Sequence, residues 1–367
     1  DTVGKTIEVE AGVTLSATQE AADSVNLMLP LSIASEGSAC IGGNLATNAG
    51  GSSVIAYGSM RNLTLGIEVV LADGRIWSHL SKLTKDNTGY SLKDLFIGSE
   101  GTLGIITAAT LKLFTPPKGV ATAFISLRSY DDIVKLFQTT NEFIGQNLTS
   151  FEFMSRDSYL LSLKHGSLVS PIANTSAPCY VLIEVSTSGT DYAKSILENL
   201  LLEAEAIKLL VDTCFASSSH QAANLWRLRD NMSDAQKKEG GSIKHDISLP
   251  LKNIPAFLKK ADSIVEQICP GARPVPFGHI GDGNIHYNIS QPINMNKIQL
   301  LEYGETISKV IHDLVSQMDG SFAAEHGIGR AKRDELYRLK NPIDLDLMRS
   351  IKSALDPRGI LNPGKLL

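Results

Sequence analysis

Hydrophobic positions along the first 118 residues come in short alternating runs at 65–71, 75–77 and 104–114, with a further strand-like stretch at Thr6-Ile7-Glu8-Val9-Glu10. Alternation lays one face of a strand on a core, so each run predicts a β-strand. Ala72-Asp73-Gly74 separates the first two runs and predicts a hairpin turn, because Asp and Gly tolerate the positive φ that tight turns need. Pro116-Pro117 stops the third run and marks the expected domain boundary, since proline cannot donate to a ladder. From 119 to 330 strand-like runs at 121–127, 179–186, 242–249, 273–280 and 285–290 alternate with amphipathic helix patterns at 130–145, 191–206, 253–268 and 298–318. That order predicts an α+β layer, with helices on one face of a largely antiparallel sheet. Residues 165–178 read as a loop and 344–355 as a helix. The turn-rich tail from Asp356 to Lys365 is of the kind that frays, but its Ile360, Leu361 and Asn362 predict docking instead.

With 367 residues, 43% hydrophobic and 20% charged, the chain is an ordinary globular one that needs two domains. A net charge of -5 and the lack of a basic stripe with interleaved aromatics argue against a nucleic-acid partner. Charge or glycine breaks every apolar run well short of the length of a transmembrane segment. Cys40, Cys179, Cys214 and Cys269 are scattered without a CxxC pair and read as reduced thiols of a cytosolic or organellar matrix compartment. The chain opens at Asp1 and enters a strand almost at once, so a further segment is expected upstream.

The chemistry concentrates in five stretches. In Phe277-Gly278-His279-Ile280-Gly281-Asp282-Gly283-Asn284-Ile285-His286-Tyr287-Asn288, a two-residue turn at Asp282-Gly283 pairs His279 with His286, within reach of one divalent metal, and Asn288 shares their face. An ordinary hairpin with two hydrogen-bonded histidines is the plain alternative. Ser321-Phe322-Ala323-Ala324-Glu325-His326-Gly327 offers a third ligand; two His and a carboxylate make an open catalytic set for Zn²⁺, and also suit Fe²⁺ or Mn²⁺. Neighbouring strand residues point to opposite faces, so either Glu325 or His326 is the ligand; the reading favours Glu325 as ligand and His326 as general base. The run from Ser35 to Gly51 and a second cluster, Ile97 to Thr107, let backbone amides approach a large flat ligand, although neither is a P-loop. Finally, Arg229 and Ser233 are four apart and share a face on a helix, and Lys244 lies in a strand-like run opposite Ile243, His245 and Ile247. Together they form a clamp for one or two carboxylates. Arg227 and Lys237-Lys238 read as solvated charges.

Ile41-Gly42-Gly43-Asn44-Leu45-Ala46-Thr47-Asn48-Ala49-Gly50-Gly51, Gly98-Ser99-Glu100-Gly101-Thr102-Leu103-Gly104, Gly278 to His286, Ala324-Glu325-His326-Gly327 and Leu361-Asn362-Pro363-Gly364-Lys365, in this order along the whole chain, resemble the FAD-linked 2-hydroxy-acid dehydrogenases of the vanillyl-alcohol oxidase superfamily, which include D-2-hydroxyglutarate, D-lactate and glycolate-oxidising enzymes. The resemblance implies an FAD-binding domain over 1–118, an α+β cap domain over 119–330 and a segment 331–367 returning to the first domain. It implies FAD contacts at Gly37, Ile41, Gly42, Asn44, Thr47, Asn48, Gly50, Gly51, Gly58, Glu100, Gly104, Ile105, Ile106 and Asn362. Zinc ligands are implied at His279, His286 and Glu325, a base at His326, and substrate contacts at Arg229, Ser233, Lys244 and Asn288. Ser233 stands where dicarboxylate-specific members often carry Thr, and Lys244 supplies a cation that lactate-specific members lack, which favours D-2-hydroxyglutarate over D-lactate or glycolate. Family members also carry, upstream, a Pro- and Gly-rich loop that cradles the FAD pyrophosphate; the sequence has no such loop, and it is expected to be an N-terminally truncated fragment of a longer chain.

The expected reaction is oxidation of a D-2-hydroxy acid to the 2-oxo acid, with an electron-transfer flavoprotein, cytochrome or quinone as acceptor and a homodimer as one option for assembly. A metal-dependent hydrolase without flavin is the rival from another class, against which the two glycine clusters speak. A catalytically silent binding module is the third reading.

Overall fold

Strands β1 (Thr6–Glu10), β2 (Thr64–Val70), β3 (Ile76–His79) and β4 (Ile105–Lys112) form an antiparallel sheet in the order β1-β4-β2-β3. Alternation along β2 sends Ile67 and Val69 into a core shared with Leu15, Ile41, Leu45 and Met60. Leu15 opens the helix Leu15–Asp23, capped by the Thr14 hydroxyl, which accepts from the Ala17 N–H. The β2–β3 hairpin closes where the Leu71 N–H donates to the Arg75 carbonyl, with Gly74 in the left-handed region at φ +87°. The helix Pro342–Leu355 and the tail belong to the same unit. Lys352 Nζ donates to the carbonyls of Thr102 and Leu361, and the Asp356 carboxylate accepts from the Ile360 and Leu361 N–H groups. The tail therefore docks through Leu361, while Ile360 is 52% exposed.

The structure, a computed structural model, describes all 367 residues and divides into two units: Asp1–Pro116 with Glu325–Leu367, and Pro117–Ala324. The expected divisions at 118 and 330 lie two and six residues beyond these.

In the second unit β5 (Gly119–Leu127), β6 (Leu148–Ser155), β7 (Cys179–Thr187), β8 (Leu210–Phe215), β10 (Asp246–Ser248), β12 (Phe277–Gly278) and β13 (Asn284–His286) form one antiparallel sheet, ordered β10-β13-β12-β6-β7-β5-β8. β6 and β8 have no counterpart in the sequence expectation. Every residue of β6 is buried, so its Leu-Thr-Ser-Phe-Glu-Phe-Met-Ser lacks the alternation by which a half-exposed strand is recognised. Helices also cover both faces rather than one. Phe151 and Phe153 meet Phe137 and Tyr130 of the helix Tyr130–Ile144. On the opposite face Phe124 and Tyr180 pack with Tyr159 of the helix Arg156–Gly166 and with Leu225 and Leu228 of the helix Ser219–Asp230.

Three of the expected strands are each broken in two. β9 (Ser242–Ile243), β11 (Arg273–Pro274) and β14 (Ile289–Ser290) make a separate small sheet, and each chain segment crosses to the large sheet at Lys244-His245, Val275-Pro276 or Tyr287-Asn288. The His245 imidazole Nδ1 bonds the Tyr287 carbonyl at 2.9 Å and the Val275 N–H donates to the Asn288 carbonyl, which ties the three crossings together. Residues 298–318 likewise form two helices, Lys297–Glu302 and Gly304–Gln317.

Candidate active site

The turn between β12 and β13 is not the two-residue hairpin expected. Phe277, not His279, pairs with His286. A type I′ two-residue turn needs positive φ at both central positions and type II′ at the first, but only Gly283, the second, has it, at φ +87°. Ile280–Asp282 instead make a 3₁₀ turn, closed by N–H donation from Gly283 to the Ile280 carbonyl and from Asn284 to the His279 carbonyl. Gly283 is also pressed against Leu249, whose carbonyl oxygen would lie 2.4 Å from an added Cβ. The two imidazoles nonetheless end close together, with ring centroids 5.6 Å apart at 82°.

A buried carboxylate stands behind each ring. Phe277 and Gly278 pair with Met154 and Phe153 of β6, and that register carried one residue further sets Glu152 beside His279. Glu152 Oε1 lies 2.8 Å from His279 Nδ1, and Glu152 Oε2 accepts from Arg229 Nε at 2.7 Å. Glu152 is 1% exposed and Arg229 7%. Burial alone pushes the Glu152 carboxyl up, yet His279 and Arg229 outweigh it and hold the group below the usual carboxylate range. Arg229 also lies over the Phe277 ring, and its Nη2 is 3.5 Å from His279 Nε2. Asp246, 3% exposed, pairs with His286 across β10 and β13 and has Oδ1 3.5 Å from His286 Nδ1. Asn284 Nδ2 donates to the same carboxylate. A carboxylate at Nδ1 fixes the tautomer and presents Nε2 as the basic nitrogen. His279, His286 and Asp246 are donor types that suit a divalent cation, and within this unit Asp246 and His286 have ligand atoms within 4.8 Å of each other. Sequence reading missed Glu152 and gave Asp246 no role; a lone carboxylate between Phe151 and Phe153 was the available signal for the first.

Other expected residues separate. Asn231 breaks the helix after Asp230, and a new one runs Met232–Lys237; Ser233 is exposed while Arg229 is buried. Lys244 is exposed between buried Ile243 and His245, at one of the sheet crossings. Asn288, at another crossing, is buried and donates to Gln236 Oε1.

In the first unit the segment after Ser35 forms the helix Ile41–Ala46 rather than an open loop, and Ile41 is wholly in the core. Gly42 packs on Ala11, Gly51 on the Ser32 carbonyl, Gly58 on Asn62 and Gly104 on Val69 and Phe96, so these four glycines answer to the chain's own packing. Gly50 faces Val54 and Glu325 Oε1. Thr47 Oγ1 donates to the Gly43 carbonyl, and Asn48, at φ +52°, accepts at Oδ1 from Ser59 Oγ and the Arg61 N–H. Glu100 holds the stretch after His326 by accepting from the N–H groups of Ile328 and Gly329, and Asn362 Nδ2 donates to the Glu100 carbonyl. His326 and Ile105 are exposed and Glu325 and Ile106 half-buried. Gly37 and Gly43 have no atom within 4 Å of a Cβ position, and Asn44 Nδ2 is a buried donor without an acceptor. Approachable backbone beside an unmet donor fits a large cofactor such as FAD. No helix in either unit is long and apolar enough to cross a membrane.

Residues 116–366 match the FAD linked oxidases, C-terminal domain, and residues 1–79 match the FAD binding domain. The chain is 38% identical over its whole length to the mitochondrial D-2-hydroxyglutarate dehydrogenase of Danio rerio, covering 67% of that protein. It is 36% identical over 99% of its length to the D-2-hydroxyglutarate dehydrogenase of Stutzerimonas stutzeri (strain A1501), covering 77% of it. It spans about two thirds of the length of the mitochondrial relatives it matches. Among solved structures it superposes on p-cresol methylhydroxylase with a TM-score of 0.76 at 15% identity, over 100% of this chain and 76% of the other. That likeness shows the fold, which is of the vanillyl-alcohol oxidase type.

Proposed function

The chain belongs to the family of FAD-linked oxidases, and on that premise we propose that it oxidises a D-2-hydroxy acid to the 2-oxo acid, with D-2-hydroxyglutarate as substrate. The observation that carries the reading is the pair of carboxylate-backed imidazoles, His279 and His286, beside the buried guanidinium of Arg229.

Oxidation removes the hydroxyl proton and the α-hydrogen with its electron pair. FAD, when bound, supplies the acceptor for that hydride. A divalent cation, zinc by preference, held by His279, His286 and Glu325, would lower the pKa of the substrate hydroxyl. His326 takes the hydroxyl proton as general base. Arg229 has given its Nε to Glu152, so a substrate carboxylate meets its Nη edge, and Lys244 meets the second carboxylate as a point charge. Ser233 and Asn288 complete the contacts. Holding both carboxylates aligns the α-hydrogen and removes the entropic cost of a chance encounter. Gly37, Gly43, Asn44 and the loops around Asn48 and Glu100 are the backbone and donors on which FAD rests. The electrons leave to an electron-transfer flavoprotein, a cytochrome or a quinone, in a mitochondrial matrix or a bacterial cytoplasm.

Turnover of a panel of D- and L-2-hydroxy acids by flavin-loaded protein, read with a dye acceptor, tests this. D-2-Hydroxyglutarate is expected to lead and its L-enantiomer to be inert. Equal rates for D-lactate would remove the second carboxylate from the account. His326→Ala should lower kcat by about 100-fold or more while bound zinc is unchanged.

A further inference from the structure

A carboxylate in the middle of a core strand needs an explanation. Glu152 is flanked by Phe151 and Phe153, and every residue of β6 is buried. An apolar side chain would serve that position for packing, and buried ion pairs are poor sources of stability. What Glu152 has instead is two engaged oxygens with different clients: Oε1 faces His279 Nδ1 at 2.8 Å and Oε2 takes Arg229 Nε at 2.7 Å. The clients come from distant parts of the chain, 127 and 77 residues away in sequence. One is a metal ligand in the function proposed above, and the other is its carboxylate clamp.

We infer that Glu152 is a shared positioning residue, one side chain that sets the metal-binding imidazole and the substrate-binding guanidinium together. Accepting a hydrogen bond from Nδ1–H leaves His279 Nε2 as the ligand atom. Accepting from Nε fixes the plane of the guanidinium, so that its Nη edge is offered in one orientation. The inference rests on the function proposed above and adds that metal and substrate sites are aligned through this carboxylate.

Glu152→Gln is the test, because the amide has nearly the same volume but only one carbonyl oxygen for two facing N–H donors. Circular dichroism should show a folded chain. Zinc affinity, from competition with a chromogenic chelator on the chain alone, should fall about 10–100-fold. With zinc saturating, KM for D-2-hydroxyglutarate on the flavin-loaded chain should still rise roughly tenfold, the scale of one lost charge-assisted contact. If Glu152→Gln does not fold, Glu152→Asp carries the test: it keeps the charge that balances Arg229 but is one methylene too short to reach both partners, so at least one readout should fall. Wild-type zinc affinity and KM in the folded variant would overturn the inference, and if His286→Ala meanwhile abolishes zinc uptake, the metal site itself stands. A wild-type chain that oxidises D-2-hydroxyglutarate yet takes up no zinc would overturn both.

Discussion

Gly283 and Gly74 share a φ of +87°, yet they differ in what surrounds them. Alanine at Gly74 meets no atom within 4 Å and bears only the left-handed backbone penalty, ~1–2 kcal/mol. Alanine at Gly283 bears the same penalty and also drives its Cβ to 2.4 Å from the Leu249 carbonyl oxygen, so the strand end must shift. Gly283→Ala should therefore lower the urea midpoint distinctly more than Gly74→Ala; equal losses would show that the Leu249 contact costs nothing. The same glycine explains what could be read of the site from sequence. His279 and His286 stood out by their spacing, and they do end within 5.6 Å. Their register did not, because a local turn rule cannot register Leu249, more than thirty positions back in the chain. Glu152 was hidden for the same reason: a carboxylate declares its partners only when the fold has brought them together.

At the level of elements, the long amphipathic helices were legible, since Tyr130–Ile144, Tyr192–Ala206 and Ile254–Ile268 each carry an apolar stripe that only a helix can bury. β6 was not, being covered on both faces, nor were the crossings that split 242–249, 273–280 and 285–290, since each run keeps a strand-like pattern while changing sheets. The small sheet is anchored to its neighbours by Glu239. This carboxylate accepts from Lys164 Nζ at 2.6 Å, bonds the imidazole of His165, and accepts from Arg273 Nη1 of β11 at 2.8 Å. Lys164 first, then His165 and Arg273, hold its pKa down at about 2, against an ordinary 4.5. A group whose folded pKa is depressed contributes stability that is present above the unfolded value and lost as pH falls toward the folded one. Between pH 4.5 and about 2, then, the chain should shed stability through Glu239. Glu239→Gln should be less stable at neutral pH and lose less over that window; parallel urea-midpoint curves for the two proteins would sink the assignment.

For the molecule as a whole, the chain passes into the second unit at Pro117 and leaves it at Glu325, and the first of these points was marked by Pro116-Pro117 while the second carries no comparable punctuation. This division puts two of the proposed metal ligands, His279 and His286, in the second unit and the third, Glu325, in the first, with the stretch proposed to hold FAD. The part matching an FAD binding domain, 1–79, contains none of His279, His286 or Glu325, while the carboxylates that orient the imidazoles, Glu152 and Asp246, both belong to Pro117–Ala324. With two of its three proposed ligands outside the first unit, the metal should be removable with the flavin left in place. Dialysis against a strong chelator is expected to lower turnover of D-2-hydroxyglutarate by about 100-fold or more, the scale of a lost Lewis acid that supplies several kcal/mol, with the visible flavin absorption unchanged and with activity restored by added zinc. His286→Ala should behave like the chelated protein and resist rescue, because the missing ligand cannot be replaced by raising the zinc concentration modestly. Flavin released in step with the metal would show that the cofactors depend on one another, and undiminished turnover after complete metal removal would show that Arg229, Lys244 and His326 suffice without a cation.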